Sequence, residues 1–294
     1  MLPNFLIVGA SKCGTTALYY YLKQHPEISF PDLKEPKYFS SINAKFPHEG
    51  IGDISVDKYA VRSFDEYSSL FSNIQNVRVG EASPDTMYYY NKTVEEIKEK
   101  LGDIPIIIAL RDPVRRAFSA YMYLKRDSRE KLSFIDSLME EEKRLSANWD
   151  FIWGYKSCGL YFDQVKKFKD NFTNVKIILQ EELKNNTAAI IEEIYSFLNV
   201  DVNFKTDVSI SHNISGIPNN LVSRFLLSRN NGLSTTIREI MKKLMPRNLL
   251  EKVTNRSLTK HKISAKEIEF LKPYFHDDIC KLEKIIGKDL SSWK

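Results

Sequence analysis

A loop bounded by glycines follows directly on a short apolar segment near the start of the chain. Phe5–Val8 is apolar without interruption, a pattern typical of a strand buried on both faces. Gly9 and Gly14 bound the loop, and the apolar spacing from Thr15 onward predicts a helix. In such a strand–loop–helix unit, backbone N–H groups and the positive end of the helix dipole face an anion. The stretch therefore predicts a phosphate-binding loop.

The position of the lysine distinguishes this loop from the loop of nucleoside triphosphatases. Their motif, G-x-x-x-x-G-K-[ST], has a lysine directly after the second glycine. Here Thr15 takes that position, and the lysine of the loop is Lys12. The loop is therefore predicted to bind a phosphate group. The bond that breaks in the reaction is predicted to lie elsewhere than in a magnesium-bound triphosphate. Glycine pairs before helices also occur in plain turns, so this motif needs a partner elsewhere in the sequence.

Strands alternate with helices along the rest of the chain. Buried strands are predicted at Val77–Glu81, Ile104–Leu110 and Val175–Leu179, with a helical pattern after each. This alternation implies parallel β-α-β crossovers and helices on both faces of one sheet. The sequence predicts a single domain over residues 1–294, of the P-loop-type three-layer αβα class, with a central parallel sheet and a helical C-terminal part.

Helices are predicted from apolar spacing. Segment 43–75 is interpreted as an excursion over the open end of the sheet with one short helix, and Pro273 is expected to break the last helical segment. The predicted helical segments after the first are Val56–Phe71, Thr93–Leu101, the segment from Pro113, parts of 127–150, Leu160–Phe172, Ala188–Leu198, Leu221–Leu227, Thr235–Leu244 and Ile263–Ile286.

Composition limits the class of protein. The hydrophobic fraction of 43%, the charged fraction of 28% and a net charge of +5 are ordinary for a globular protein and do not predict a nucleic-acid binder. No apolar run approaches the roughly 20 residues of a membrane helix, and no basic region precedes the first strand, so no signal peptide is predicted. Cys13, Cys158 and Cys280 lack metal-ligand spacing. They predict free thiols and a reducing, cytoplasmic localisation.

A second candidate anion site follows the strand at Ile104–Leu110. Arg111 ends this strand, and Ser119 lies about two helical turns further along the next helix. A guanidinium offers a planar fork to a phosphate, and a serine hydroxyl adds a further donor. An arginine at a strand end also serves as an ion-pair partner. Together with the Lys12 loop, however, the motif suits a nucleotide with phosphates at both its 5′ and 3′ positions.

The two motifs resemble those of the sulfotransferases that use 3′-phosphoadenosine 5′-phosphosulfate (PAPS). Gly9–Thr16, GASKCGTT, resembles their 5′-phosphosulfate loop, and Arg111–Tyr121, RDPVRRAFSAY, resembles their 3′-phosphate motif. The resemblance is greatest to the branch with the heparan sulfate N- and O-sulfotransferases and bacterial relatives. Gly159–Phe162 and Asp289–Trp293 also resemble that branch. The similarity spans most of the chain and is densest over residues 4–40 and 80–180.

The resemblance implies a role for individual residues. Lys12 contacts the 5′-phosphate and stabilises the charge that grows on it, and Glu35 is the general base. The donor-binding set is Lys12, Cys13, Gly14, Thr15, Thr16, Arg111, Ser119 and Tyr161. PAPS is then the co-substrate and its desulfated product, PAP, the second product, with no metal required. The acceptor is a hydroxyl group, in preference to an amine, of a carbohydrate or another small molecule.

The chain departs from the family pattern on the acceptor side. Glu81–Pro84, EASP, stands where relatives acting on heparan sulfate carry Glu-Lys-Ser/Thr-Pro, so an acceptor less acidic than heparan sulfate is predicted. The small-molecule branch has a histidine base near this strand end; this chain has none there, which favours Glu35. His25 is predicted to be structural. His212 and Asn213 lie in a loop that resembles an active-site loop of bacterial relatives.

Two other functions share these features. A P-loop nucleotide or small-molecule kinase is expected to have its lysine at the Thr15 position. A non-catalytic nucleotide-binding domain needs no base, so Glu35 counts against it. A late run of basic residues, between Arg238 and Lys262, is interpreted either as a solvated helix face or as a rim that attracts anions. The sequence leaves the acceptor and the oligomeric state open.

Overall fold

A five-stranded parallel sheet forms the centre of the molecule. The computed structural model describes residues 1–209, 217–218, 258–259 and 261–294. The strand order is β2-β3-β1-β4-β5, and every pair in this sheet is parallel. The strands are β1 (Phe5–Gly9), β2 (Ile28–Ser29), β3 (Arg78–Glu81), β4 (Ile106–Leu110) and β5 (Val175–Leu179). A short antiparallel pair joins β6 (Ile217–Pro218) and β7 (Leu258–Thr259).

Helices flank the sheet in two groups. In one group, α9 contacts α5 and α12, and α12 also contacts α6; in the other, α11 contacts α1 and α10. The predicted αβα class is therefore confirmed. The helices are α1 (Thr15–Leu22), α2 (Tyr38–Ser41), α3 (Ile54–Asp57), α4 (Phe64–Ser69), α5 (Tyr90–Leu101), α6 (Pro113–Arg126), α7 (Phe134–Met139), α8 (Glu141–Ser146), α9 (Phe162–Asn171), α10 (Gln180–Asn185), α11 (Thr187–Phe197) and α12 (Ala265–Ile286).

The middle strands are buried along their whole length. All five residues of β1 and of β4 are buried, as their uninterrupted apolar runs predict. Because β1, β3 and β4 are parallel neighbours, their carboxyl ends open at one edge of the sheet. The loops that begin at Gly9, Glu81 and Leu110 therefore meet there, where open α/β sheets bind ligands.

Two helix predictions are wrong. The predicted single helix Val56–Phe71 consists of α3 and α4, because Ser63 caps a new helix by accepting a hydrogen bond from the Glu66 N–H (3.2 Å). The predicted break at Pro273 does not occur, and α12 continues through it. Its apolar side is buried against the domain and keeps the helix continuous despite the lost hydrogen bond. That side carries Leu271, Phe275, Ile279 and Leu282.

Several sequence-based predictions fall on residues outside the described ranges. These are the helices Leu221–Leu227 and Thr235–Leu244, the loop with His212 and Asn213, and most of the basic run. Within the described ranges, α12 is the helical C-terminal part, and no helix is long and apolar enough to cross a membrane. The single domain over residues 1–294 stays a prediction.

Candidate active site

The loop between β1 and α1 is held by its own backbone and by β4. The Ala10 N–H donates to the Ala109 carbonyl (2.7 Å), and the Cys13 N–H donates to the Ala10 carbonyl (3.2 Å). Gly14 precedes α1 with φ = +99°, a left-handed conformation that a side chain would strain. No side chain caps α1. The N–H groups at its start therefore remain available to an anion.

Lys12 projects its ammonium group beside α6. Its Nζ lies 4.3 Å from the ring centroid of Tyr123. Burial lowers the pKa of Lys12 to about 8, and the charge of Arg126 acts in the same direction, whereas the charges of Asp127 and Glu35 oppose it. Lys12 is therefore a desolvated cation that is still largely protonated at neutral pH.

Arg111 reaches the loop from the end of β4. Its Nη1 donates to the Lys12 carbonyl (3.3 Å), and its buried Nε has no hydrogen-bond partner. Burial lowers the pKa of Arg111. In the part of the chain that the structure describes, neither Lys12 nor Arg111 forms an ion pair with a carboxylate. Ser119 lies eight residues further along, on α6, and is partly exposed.

Tyr161 connects the Lys12 loop with the end of β4. Its hydroxyl donates to the Arg111 carbonyl (3.0 Å) and lies 3.6 Å from the Cys13 sulfur. Both side chains are fully buried, and burial raises the pKa of the Cys13 thiol to about 11. Cys13 is therefore a neutral thiol that fills space, and Tyr161 braces the backbone of Arg111. Their predicted contacts with the donor stay predictions.

Glu35 lies just before α2 and is linked to the start of α1. Its Oε1 accepts a hydrogen bond from the Lys34 ammonium (2.7 Å), which also donates to the Thr16 hydroxyl (3.1 Å). The Glu35 side chain is about one third exposed (31%). A carboxylate at this position is accessible to an acceptor and lies within the electrostatic range of Lys12. The structure thus brings the predicted base and the predicted loop lysine near each other. Thr15, by contrast, is buried.

The end of β3 adds buried carboxyl groups. Glu81 is 2% exposed, and burial raises its pKa to about 8. Asp85 accepts a hydrogen bond from the Ser40 hydroxyl (2.7 Å) and lies 3.5 Å from the Lys37 ammonium. The Lys37 N–H donates to the Ser83 hydroxyl (2.9 Å). Lys37, from the loop before α2, therefore lies at the end of β3.

Sequence reasoning assigned no role to Tyr123, Lys34 or Lys37. Tyr123 is four residues after Ser119, so the two share a face of α6, and this spacing is a signal in the sequence. The contact of Lys37 with Asp85 joins distant segments and has no local signal. His25 is structural as predicted, since both ring nitrogens bond to backbone groups. Among the described residues, no cluster of three or more His, Cys, Asp or Glu side chains has the arrangement of a metal site.

The chain is similar to known sulfotransferases. Residues 3–204 match the Sulfotransferase family. A sulfotransferase crystal structure from Alicyclobacillus acidocaldarius is 33% identical, with a TM-score of 0.80 over 100% of this chain and 99% of that one. The membrane-associated sulfotransferase kil1 of Dictyostelium discoideum is 36% identical over 48% of this chain and 28% of its own length. Mouse bifunctional heparan sulfate N-deacetylase/N-sulfotransferase 3 is 27% identical over 69% of this chain and 23% of its own. The chain thus spans under a third of these two relatives.

Proposed function

Because the chain belongs to the sulfotransferase family, we propose that it transfers the sulfuryl group of PAPS to a hydroxyl group of a carbohydrate or another small molecule. The family resemblance predicted from the two motifs is confirmed. The donor, the acceptor and the catalytic residues constitute the proposal. Heparan sulfate, in the name of the mouse relative, supports a carbohydrate acceptor only by analogy.

The observation that carries the proposal is a pair of partly buried cations, one in the loop after β1 and the other at the end of β4. Lys12 and Arg111 are joined through the Lys12 carbonyl, and the buried Nε of Arg111 has no partner. A buried donor without an acceptor destabilises the free protein and is satisfied by a bound anion. These residues fit a donor with two separate phosphate groups. In this arrangement, Lys12 and the start of α1 hold the 5′-phosphosulfate, and Arg111 with Ser119 holds the 3′-phosphate.

Glu35 and Lys12 divide the chemistry between them. Glu35 takes the proton of the acceptor hydroxyl while the acceptor oxygen bonds to sulfur. The bond from sulfur to the bridging oxygen breaks, and Lys12 stabilises the charge that develops on the leaving 5′-phosphate. PAP then departs. Lys34 holds the Glu35 carboxylate against Thr16, so it fixes the position of the base relative to the loop.

Ligand-dependent stability tests the donor. PAP is expected to raise the melting temperature in the presence of EDTA, with a stabilisation of about 2.7 kcal/mol at a PAP concentration 100 times its dissociation constant. ATP with Mg²⁺ is expected to give a smaller shift. A larger shift with ATP–Mg²⁺ would favour a kinase. A PAP shift without sulfate transfer to any hydroxyl acceptor would favour a non-catalytic nucleotide-binding domain. Cytoplasmic localisation and independence of metal ions stay predictions.

A further inference from the structure

The aromatic ring of Tyr123 lies against the ammonium group of Lys12. The Lys12 Nζ is 4.3 Å from the ring centroid, within the range at which the electron-rich face of an aromatic ring attracts a cation. Lys12 belongs to the loop after β1 and Tyr123 to α6, so the fold makes this contact and the local sequence does not. Tyr123 is therefore a direct neighbour of the cation that the proposed function places at the 5′-phosphate.

Tyr123 lies on the face of α6 that carries the second anion motif. Ser119, Tyr123 and Arg126 follow one another at spacings of four and three residues, which places them on one side of the helix. The ring lies about 6 Å, one helical turn, beyond Ser119. In the proposed function Ser119 holds the 3′-phosphate. The same helix face then presents a hydroxyl to one phosphate group and a ring-bound ammonium to the other.

A second cation packs against the same ring and fixes it. The guanidinium carbon of Arg126 lies 4.8 Å from the ring centroid of Tyr123, and the Arg126 Nε donates to Oδ1 of Asp127 (3.0 Å). Asp127 is 1% exposed, so a buried carboxylate holds Arg126 in place. The ring is thus supported by its own helix and by a fixed neighbour, which sets its orientation toward Lys12 before any ligand binds.

The backbone of Lys12 restricts the direction of its side chain. Its φ angle is +71°, a left-handed conformation that is uncommon in residues other than glycine. The Lys12 carbonyl also accepts a hydrogen bond from Arg111 (3.3 Å). A lysine side chain is flexible and loses much conformational entropy when it is ordered. The fixed backbone and the contact with the ring together confine the ammonium group.

The charges around Lys12 make the contact important for its protonation. Burial lowers the pKa of Lys12 to about 8, and the charge of Arg126 acts in the same direction. The charges of Asp127 and Glu35 raise this pKa, and that of Arg116 lowers it. The face of an aromatic ring favours the protonated amine over the neutral amine. The ring therefore opposes the loss of the Lys12 proton that burial promotes.

Resting on the proposed function, we propose that Tyr123 is a positioning residue for sulfuryl transfer, whose ring holds the protonated Lys12 ammonium at the place where the 5′-phosphate of the donor binds. Lys12 remains the group that touches the leaving phosphate. The ring acts through Lys12, because a confined and partly desolvated ammonium stabilises the developing charge better than a mobile, hydrated one. The electrons of the ring carry this role, and its hydroxyl group does not.

Fluorination tests the ring with little change in its shape. Fluorine atoms draw electrons away from the ring face and weaken its attraction for a cation. Tyr123→Phe is the reference, because Phe cannot ionise near the pKa of Lys12. A trifluorinated phenylalanine at position 123 is compared with this reference by isothermal titration calorimetry with PAP.

The expected effect depends on pH. The trifluorinated variant should bind PAP about threefold to tenfold more weakly than the reference at about pH 9, where the weakened ring no longer retains the Lys12 proton. At about pH 6.5, where Lys12 is protonated in both variants, the difference should be less than about twofold. A difference that is absent at the higher pH, or equal at both pH values, would overturn the role of the ring.

Two controls locate the effect. The Lys98 ammonium lies 5.3 Å from the ring centroid of Phe172. Trifluorination at position 172 therefore weakens a similar contact outside the candidate active site and is expected to leave PAP affinity unchanged. In a Lys12→Met background, trifluorination at position 123 is expected to have no effect at either pH. An effect that persists without Lys12 would assign the ring to Arg126 alone and overturn the proposal.

Removing the ring altogether gives a second measurement. Tyr123→Leu keeps an apolar side chain that favours a helix, but it loses the contact with Lys12. Its kcat with PAPS is expected to fall about tenfold, whereas Tyr123→Phe should stay within about twofold of wild type. Equal kcat values in the two variants would overturn the positioning role. A wild-type protein without any PAP-induced thermal shift would instead overturn the proposed function.

Discussion

Two regions of the molecule differ in whether their buried or partly buried cations are paired with carboxylates. In the candidate active site, Lys12 and Arg111 have no carboxylate partner among the described residues. In the buried ion-pair cluster, which consists of Asp53, Arg129, Glu130 and Arg144, each arginine is paired with a carboxylate. In the proposed function a bound ligand supplies the negative charge at the candidate active site, whereas carboxylates of the protein supply it in the cluster.

The cluster joins the excursion to the segment after α6. Arg129 and Asp53 are both fully buried and form an ion pair, although 76 residues separate them. Asp53 also accepts hydrogen bonds from the Trp153 indole (3.1 Å) and the Asp150 N–H (2.9 Å). The Glu130 carboxylate accepts two bonds from Arg144, 2.5 and 3.1 Å long, and one from Tyr155 (2.8 Å).

The pKa shifts reflect this difference. Burial by itself raises the pKa of Glu130, but hydrogen bonds, the largest of them from Arg144, lower it below its usual value. At Lys12 and Arg111 burial dominates, and both pKa values are lowered. Partners outweigh desolvation at Glu130, whereas desolvation outweighs partners at Asp53, as it does at Lys12 and Arg111. The missing carboxylate partners of Lys12 and Arg111 support the proposed binding site, whereas the paired arginines of the cluster form a structural connection.

Replacing Glu35 with Gln separates catalysis from stability and has the largest expected effect. Glu35→Gln should lower kcat by about 10²–10⁴, the usual contribution of a general base. Its free energy of unfolding should change by less than about 1 kcal/mol, because the pair with Lys34 is partly exposed. Glu130→Gln is the matched carboxylate in the cluster and should mainly lower stability. Steady-state kinetics measures kcat and urea unfolding measures the stability of both variants. A Glu35→Gln variant that keeps a tenth or more of the wild-type kcat would exclude Glu35 as the base.

Removing an arginine from the cluster should destabilise the fold. Arg129→Met leaves Asp53 buried without its countercharge, which is expected to cost about 3–5 kcal/mol of unfolding free energy. Arg111→Met, in the active site, leaves no carboxylate unpaired and should keep or raise stability. Denaturant unfolding of the two variants compares them directly. Equal destabilisation would contradict the distinction between the two regions.

The same Arg111→Met variant should lose donor affinity. Loss of a charged, partly buried phosphate contact is expected to weaken PAP binding by about 2–4 kcal/mol. Isothermal titration calorimetry measures the loss, and Arg115→Met, at an exposed position on α6, is the control for the change in net charge. PAP affinity that is equal in Arg111→Met and wild type would remove Arg111 from the site.

The pH dependence should have opposite signs for binding and for stability. The pKa of Lys12 is about 8 in the folded protein and roughly 10.4 in an unfolded chain. Between these values the unfolded state binds more protons, so the stability of the free protein should rise with pH. PAP affinity should fall over the same range, by up to about tenfold per pH unit, as the ammonium is lost. Lys12→Met should abolish both trends, and titrations between pH 7 and about 10 check them.

At acidic pH the Glu130 carboxylate of the cluster should make the stability of the protein depend on pH. The pKa of Glu130 is lowered in the folded state, so the stability it contributes is present above its unfolded pKa and is lost as the pH falls through the folded value. Glu130→Gln should reduce this acid sensitivity. This is the smallest of the expected effects, and thermal unfolding as a function of pH measures it.

The sequence by itself determined the central strands, the glycine-bounded loop and the two anion motifs. These features are local: an uninterrupted apolar run predicts a buried strand such as β4, and strand ends in a parallel sheet share one edge. The family followed from the same short motifs, since Gly9–Thr16 and Arg111–Tyr121 each lie within one strand–helix junction. Local patterns gave a wrong prediction where tertiary packing decided the structure. The predicted break at Pro273 does not occur, because α12 continues through it.

The tertiary structure decided which charges are paired and which are not. Lys37 meets Asp85, Arg129 meets Asp53 and Arg111 meets the backbone of Lys12, and no periodicity in the sequence encodes these contacts. In the sequence, Lys12 and Arg129 are both simply basic residues. Their difference arises because desolvation depends on what the fold packs around a charge, and compensation depends on whether a distant segment brings a carboxylate within reach.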